Sequence, residues 1–106
     1  MKLRVLSDYG AEERVVSEEA TVALVRSTMR DLDWQGFHQV VLEKVGGDWL
    51  EVGGSLNPDD GLSVMFEEGG VQHVIAEPPA TVDEMTDILE RYLQGDERWR
   101  RDVAWS

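Results

Sequence analysis

The chain has 106 residues, of which 42% are hydrophobic, and its formal net charge is −12 at pH 7. This length and apolar content suit one domain with a single core, spanning residues 1–106. A charge of this size repels nucleic acid and anionic membranes and attracts basic macromolecules, so we expect neither direct nucleic-acid binding nor membrane binding. The absence of cysteine excludes disulfides and Cys-based zinc sites.

The first residues do not have the pattern of a secretory signal. The start, Met1-Lys2-Leu3-Arg4-Val5-Leu6, turns polar at Ser7 and Asp8, which is too early for the apolar region of a signal peptide. No other apolar run approaches the roughly 20 residues that a membrane-spanning helix needs. With a cysteine-free composition, these features predict a cytoplasmic protein.

The first elements in chain order are short strands and a helix. Residues 2–6 alternate as a strand and lead into a turn, and residues 14–16 are a candidate for a second short extended segment. Ser17 is the predicted N-cap of a helix over residues 18–32, because acidic residues follow it and suit the positive end of a helix dipole. Apolar residues then recur at helical spacing, at Val22, Val25, Met29 and Leu32.

Four strands joined by short turns are predicted next. They span residues 37–45, 48–52, 62–67 and 71–76. Gly46-Gly47 and Gly69-Gly70 make tight hairpins, because glycine accepts the positive backbone angles of such turns. Between the hairpins, Asn57-Pro58-Asp59-Asp60-Gly61 is a strong turn signal. The pattern predicts an antiparallel meander that buries one face and exposes the other.

The C-terminal third contains the clearest helix signal. Pro78 and Pro79 end the sheet, a capping box begins at Thr81, and an apolar stripe continues to Leu93 before Gly95. In the tail that follows, alternation would place Trp99, Arg101, Val103 and Trp105 on one side, which indicates an extended segment that docks back on the domain. The predicted fold class is therefore α+β, with an antiparallel sheet of four or five strands (a meander), two helices packed on one face and an extended C-terminal tail.

The sequence lacks most of the residue patterns that enzymes use. It has no phosphate-binding glycine loop, no zinc-protease helix motif and no nucleophile elbow. His38 and His73 are the only near-neutral bases, and each falls inside a predicted strand, where a satisfied or surface role is expected. Two histidines without a third ligand do not indicate zinc. We therefore predict no catalytic residues, no cofactor and no metal, and a small enzyme stays as an alternative.

The most distinctive feature is an acidic run without basic residues between Lys44 and Arg91. Its members in the C-terminal helix are expected to be solvated surface, whereas those on the hairpins surround a tryptophan. Trp49 should share a strand face with Glu51, opposite Leu50 and Val52, as an aromatic anchor within an acidic rim. The predicted partner-binding residues are Asp48, Trp49, Glu51, Asp59, Asp60, Glu67 and Glu68.

The second half of the chain resembles a known family. The resemblance lies in the run Trp49–Gly54, the strand Gly61–Phe66, the helix Thr81–Leu93, and Arg98 with Val103-Ala104-Trp105-Ser106. Together, over residues 49–106, these resemble the first-named immunity-protein family of bacterial polymorphic toxin systems. Members of that family are typically encoded beside nucleic-acid deaminase toxins and inhibit them.

The resemblance implies an immunity protein, or antitoxin, that binds and inhibits a cognate bacterial toxin, a nucleic-acid (cytosine) deaminase. Such a toxin needs a basic substrate groove, and an acidic surface could plug it in a 1:1 complex. We expect charge reversal at Asp59 and Asp60 to slow this association. The alternative is an acidic nucleic-acid mimic or adaptor that binds a DNA-handling protein of the same cell, and it would use the same acids.

Overall fold

The computed structural model describes residues 1–106 as an α+β domain with an open antiparallel sheet and three helices. The strands are β1 (Lys2–Ser7), β2 (Glu12–Ser17), β3 (His38–Glu43), β4 (Trp49–Gly54), β5 (Leu62–Glu68) and β6 (Val71–Val74), and the helices are α1 (Val22–Asp31), α2 (Val82–Gln94) and α3 (Arg98–Arg101). None of the helices has the length and apolar character required to cross a bilayer.

The sheet has six strands rather than four or five, in the order β2-β1-β3-β4-β5-β6. Strands β3 to β6 form the predicted meander, in which each strand pairs antiparallel with the next. The additional strands come from the N-terminal segments, because β1 pairs with β3 and β2 pairs with the other side of β1. The connection through α1 therefore passes β1 to bring the chain from the edge strand β2 to β3.

One face of the sheet forms the core with the helices. Side chains alternate along a strand, so the buried residues of neighbouring strands line up on one side. The strands contribute Leu3, Val5, Val40, Leu42, Leu50, Val52, Val64 and Phe66, and the helices contribute Val25, Met29, Met85, Ile88, Leu89, Tyr92 and Trp99. Because these residues belong to one cluster, α1 and α2 lie on the same face of the sheet, as predicted.

Helix α1 begins later than the sequence pattern indicated. Its N-cap is Thr21, whose hydroxyl accepts a hydrogen bond from the Leu24 N–H at 3.2 Å. The predicted N-cap, Ser17, is instead the last residue of β2, and its hydroxyl accepts from the Glu19 N–H at 3.1 Å. Pairing of residues 12–17 with β1 extends the strand through Ser17, so the helix can start only after the connection.

Helix α2 has the predicted capping box. The Thr81 hydroxyl accepts from the Glu84 N–H at 3.1 Å, and the Glu84 carboxylate accepts from the Ala80 N–H at 2.7 Å. Gly95 ends the helix in the left-handed conformation, with φ of 75°. These contacts satisfy backbone groups at both ends that the helix itself leaves unpaired.

The tail docks on the domain, but it is not extended throughout, so that prediction is corrected. Residues 98–101 form the short helix α3. Trp99 is buried there, with its ring edge-on to that of Phe66 and 4.9 Å between the ring centroids. Asp96 promotes this turn because its carboxylate accepts from the Arg98 N–H at 3.0 Å. Only the last residues are extended. There the Ala104 carbonyl oxygen accepts a hydrogen bond from the Ala76 N–H at 2.9 Å.

Candidate functional site

The sheet face opposite the core is not covered by any helix, and we call it the open sheet face. Its side chains alternate with the core residues along each strand. The cross-strand register gives a central row of Val15, Arg4, Val41, Glu51, Met65 and Val74, and beside it a row of Lys2, Glu43, Trp49, Glu67 and Gln72. The face therefore combines apolar side chains with more carboxylates than basic groups.

Trp49 is on the open sheet face between two acids. It pairs in register with Glu43 of β3 on one side and with Glu67 of β5 on the other. Its strand neighbours Leu50 and Val52 are fully buried in the core, so the predicted alternation of this strand is confirmed. Trp49 itself remains partly exposed. Its ring is therefore available to a partner protein, and it has a negatively charged residue on each side.

Glu51 occupies the centre of the same face. It lies in register between Val41 and Met65 and is half-buried. Burial raises the pKa of the Glu51 carboxyl, while hydrogen bonding with Gln39 and the positive charge of Arg4 act in the opposite direction. A partly dehydrated carboxylate of this kind would interact more strongly with a cation of a docking partner than a fully solvated one would.

A hollow of about 140 Å³ adjoins Glu51 on this face. Gly53, two residues along β4, also lines it and has no side chain to fill it, and Met65 and Ser63 of β5 form part of its wall. The open sheet face therefore has a concave region beside Glu51 in addition to its negative charge.

Arg4 is the main basic group of the central row. Its Nη1 forms an ion pair with the Glu13 carboxylate at 2.8 Å. Its Nε is buried without a hydrogen-bond partner. Arg4 thus neutralises part of the acidic charge of the face, while Glu43 and Glu67 beside Trp49 have no ion-pair partner.

The structure divides the predicted acids between the two ends of the β4–β5 hairpin. Asp48 and Glu68 lie at the end where β4 begins, whereas Asp59 and Asp60 lie in the loop after β4 ends. A six-residue strand separates these ends by roughly 17 Å. The seven predicted residues therefore do not form one compact cluster.

Five of the six predicted acids have contacts within the chain. Glu51 hydrogen-bonds with Gln39, and the Glu67 carboxylate accepts from the Gln72 side-chain amide at 3.3 Å. The Asp48 carboxylate accepts from the Gly69 N–H at 3.1 Å, which ties the two hairpin turns together. The Asp60 carboxylate accepts from the Ser55 hydroxyl at 2.7 Å and from the Tyr9 hydroxyl at 3.3 Å. Glu68 faces the helix side and is held by Arg100. By contrast, the exposed Asp59 carboxylate has no ion pair or hydrogen bond.

Basic residues outside the acidic run neutralise several of its members. Ion pairs join Arg26 to Glu90, Arg91 to Asp87 and Arg100 to Glu68. The gap in basic residues along the sequence therefore does not produce a uniformly negative surface. The unpaired acids are concentrated on the open sheet face, in the loop at Asp59 and near the start of α2.

Sequence reasoning missed Glu43, Met65 and Val41 as parts of this face. Val41 lies within an apolar run that reads as buried on both sides, and it is indeed only 3% exposed although it is outside the main core cluster. Glu43 could have been found from strand pairing, since the Gly46-Gly47 hairpin places it opposite Trp49.

The two histidines have structural contacts. His38 is the first residue of β3, at a strand end rather than inside the strand, and its Nδ1 lies 2.8 Å from the Ser7 hydroxyl. Its Nε2 donates to the Asp33 carbonyl oxygen at 2.8 Å, so Nδ1 is the acceptor and the Ser7 hydroxyl donates. His73 stacks on Phe66 with ring centroids 4.8 Å apart.

The carboxylates and histidines do not converge at any point in a group of three or more suited to holding a metal ion. Comparison of the chain with protein-family models, curated proteins and solved structures gives no match.

Proposed function

We propose that the chain is a cytoplasmic immunity protein that binds a basic bacterial toxin, a nucleic-acid (cytosine) deaminase, in a 1:1 complex and inhibits it without catalysis. The observation that carries this proposal is the position of Trp49 between Glu43 and Glu67 on a sheet face that no helix covers. A partly exposed aromatic group with acidic neighbours suits a surface that recognises a positively charged protein.

Charge and anchoring have separate roles in this proposal. The net charge of −12 accelerates encounter with a basic groove, and this effect falls as salt increases. Affinity comes from burying Trp49 and the neighbouring Met65, and from pairing Glu51 and Glu67 with basic groups of the toxin. Of the remaining predicted acids, Asp59 is free to make an additional contact, whereas Asp48, Asp60 and Glu68 chiefly hold the fold.

The alternative partner is a DNA-handling protein of the same cell that recognises the chain as a nucleic-acid mimic. A mimic of this kind depends on carboxylates that stand in for phosphates. The open sheet face instead places its tryptophan and methionine among the acids, which favours a protein surface with apolar pockets as the partner. We therefore give preference to the toxin.

The proposal is tested by co-expressing the chain with the product of its neighbouring gene. We expect the two proteins to copurify and the chain to restore growth of cells that carry the toxin. Trp49→Ala should reduce both copurification and growth, whereas Val45→Ala, in the exposed turn beside the same strand, should not. Restored growth without a stable complex, or equal effects of the two variants, would contradict the proposal.

A further inference from the structure

A groove of about 610 Å³ lies on the helix side of the domain, away from the open sheet face, and we call it the tail groove. Three separate segments form it: residues 77–79 after β6, the first turns of α2, and residues 102–104 of the tail. Its volume is within the range of about 300–1,000 Å³ that is typical of ligand-binding clefts.

The floor of the tail groove is apolar and fixed in place. Ile75 and Ile88 lie there as members of the main core, with 8% and 6% exposure. The tail wall is held to the sheet because the Ala104 carbonyl accepts from the Ala76 N–H at 2.9 Å. A ligand would therefore find a formed surface and would not have to order the tail on binding.

The walls of the tail groove are acidic, and no Lys or Arg lines it. Two of its carboxylates are occupied, because Glu84 accepts from the Ala80 N–H and Asp87 pairs with Arg91. The other three carboxylates have no ion pair or side-chain hydrogen bond within the chain. These are Glu77, Asp83 and Asp102, one from each segment that forms the groove.

We propose that the tail groove binds an extended cationic segment of a partner protein, in which an apolar residue lies between basic ones. The apolar side chain would rest on Ile75 and Ile88, and the Lys or Arg side chains would reach Asp83 and Asp102. Charge complementarity selects this occupant, since the acidic walls repel anionic ligands and the apolar floor favours a side chain over a hydrated ion. This surface is separate from the one that the proposed function uses.

The probe for this proposal is a short fluorescein-labelled peptide of alternating arginine and leucine, with binding followed by fluorescence anisotropy at low salt. We expect the double variant Asp83→Asn, Asp102→Asn to bind about tenfold more weakly, since it removes two charge contacts at the groove. The matched control is Glu12→Gln, Asp59→Asn, which removes the same charge from exposed positions outside the groove and should change the affinity less than about twofold.

A second peptide, in which serine replaces every leucine, tests the apolar floor. It should bind several-fold more weakly to the unmodified chain because it cannot bury an apolar side chain. Equal weakening by the groove variant and the control variant, or equal binding of both peptides, would overturn the proposal and reveal only general attraction to an acidic protein. Trp49→Ala should leave peptide affinity unchanged, so the result does not depend on the toxin-binding face.

Discussion

Glu68 and Arg100 form a two-point ion pair, in which guanidinium nitrogens lie 2.8 and 2.9 Å from the two carboxylate oxygens. The guanidinium also lies over the ring of Phe66, 5.6 Å from its centroid. The pair joins β5 to α3 on the helix side of the sheet. The preceding residue, Glu67, points to the open sheet face and has no ion pair, so two adjacent acids have different roles.

This difference predicts unequal effects of two equal changes of charge. Glu67→Gln should lower the association rate with the proposed toxin partner roughly threefold at low salt, because it removes a charge without an ion pair beside Trp49. Glu68→Gln should change the rate much less, because Glu68 lies on the helix side of the sheet, away from the proposed interface. Stopped-flow measurements at several salt concentrations compare the two variants. Equal rates for both would show that the position of the acid on the face is unimportant.

Trp49→Ala should weaken binding of the proposed toxin partner by about 2 kcal/mol or more, the usual cost of truncating a central aromatic anchor. The free energy of unfolding should fall by no more than about 1 kcal/mol, because Trp49 is partly exposed and makes no core contact. Calorimetric titration and urea unfolding measure the two effects.

The control for that variant is Trp99→Ala. Trp99 is 5% exposed and packs edge-on against Phe66 and Tyr92, so its truncation should cost about 3–5 kcal/mol of stability. A Trp49 variant as unstable as the Trp99 variant would mean that Trp49 supports the fold, and its effect on binding could then not be assigned to the interface.

Local patterns predicted most of the fold, and long-range pairing accounts for the errors in the N-terminal third. The α2 helix and the hairpins have caps and turns formed by neighbouring residues, so the sequence signal is strong there. Whether residues 14–16 become a full strand depends on β1, which pairs with β2 on one side and β3 on the other. That pairing is a tertiary effect, and it also displaced the start of α1.

The candidate site was predicted less completely for a similar reason. Alternation along β4 correctly placed Trp49 and Glu51 on one face, since that depends only on the strand period. The sequence could not reveal that Arg100 would reach Glu68, or that Ser55 and Tyr9 would engage Asp60, because these partners are far apart in the chain or in a turn. Charge density along a sequence therefore overestimated the free acidic surface.

Asp59 and Asp60 are adjacent, but charge reversal should affect them differently. Asp59→Lys should slow association with the proposed toxin partner and flatten the salt dependence of that rate. It should change stability little, because the exposed Asp59 carboxylate has no ion pair or hydrogen bond. Asp60→Lys should also lower the free energy of unfolding by about 1–3 kcal/mol, since the Ser55 hydroxyl, at a residue that is only 1% exposed, loses its acceptor. Thermal unfolding separates the two effects, and equal stabilities would contradict the structural role of Asp60.

Glu51 should make the stability of the protein depend on pH in a specific direction. Burial raises the pKa of this carboxyl above its ordinary value of 4.5, so the folded chain binds its proton more readily than the unfolded chain does. As pH rises from 4.5 through the raised pKa, the charged form accumulates and stability is lost. Glu51→Gln removes this penalty, so it should raise the melting temperature at pH 7, and the gain should disappear below pH 4.5.

Any loss of negative charge could also stabilise a chain of net charge −12, so a control is needed. Glu18→Gln removes the same charge from an exposed position before α1. We expect its gain in melting temperature at neutral pH to be smaller than that of Glu51→Gln and to decline at high salt, because exposed charges are well screened. The larger and less salt-sensitive gain should belong to Glu51→Gln, since its origin is dehydration on the open sheet face. Matching gains at every salt concentration would mean that Glu51 contributes only to overall repulsion.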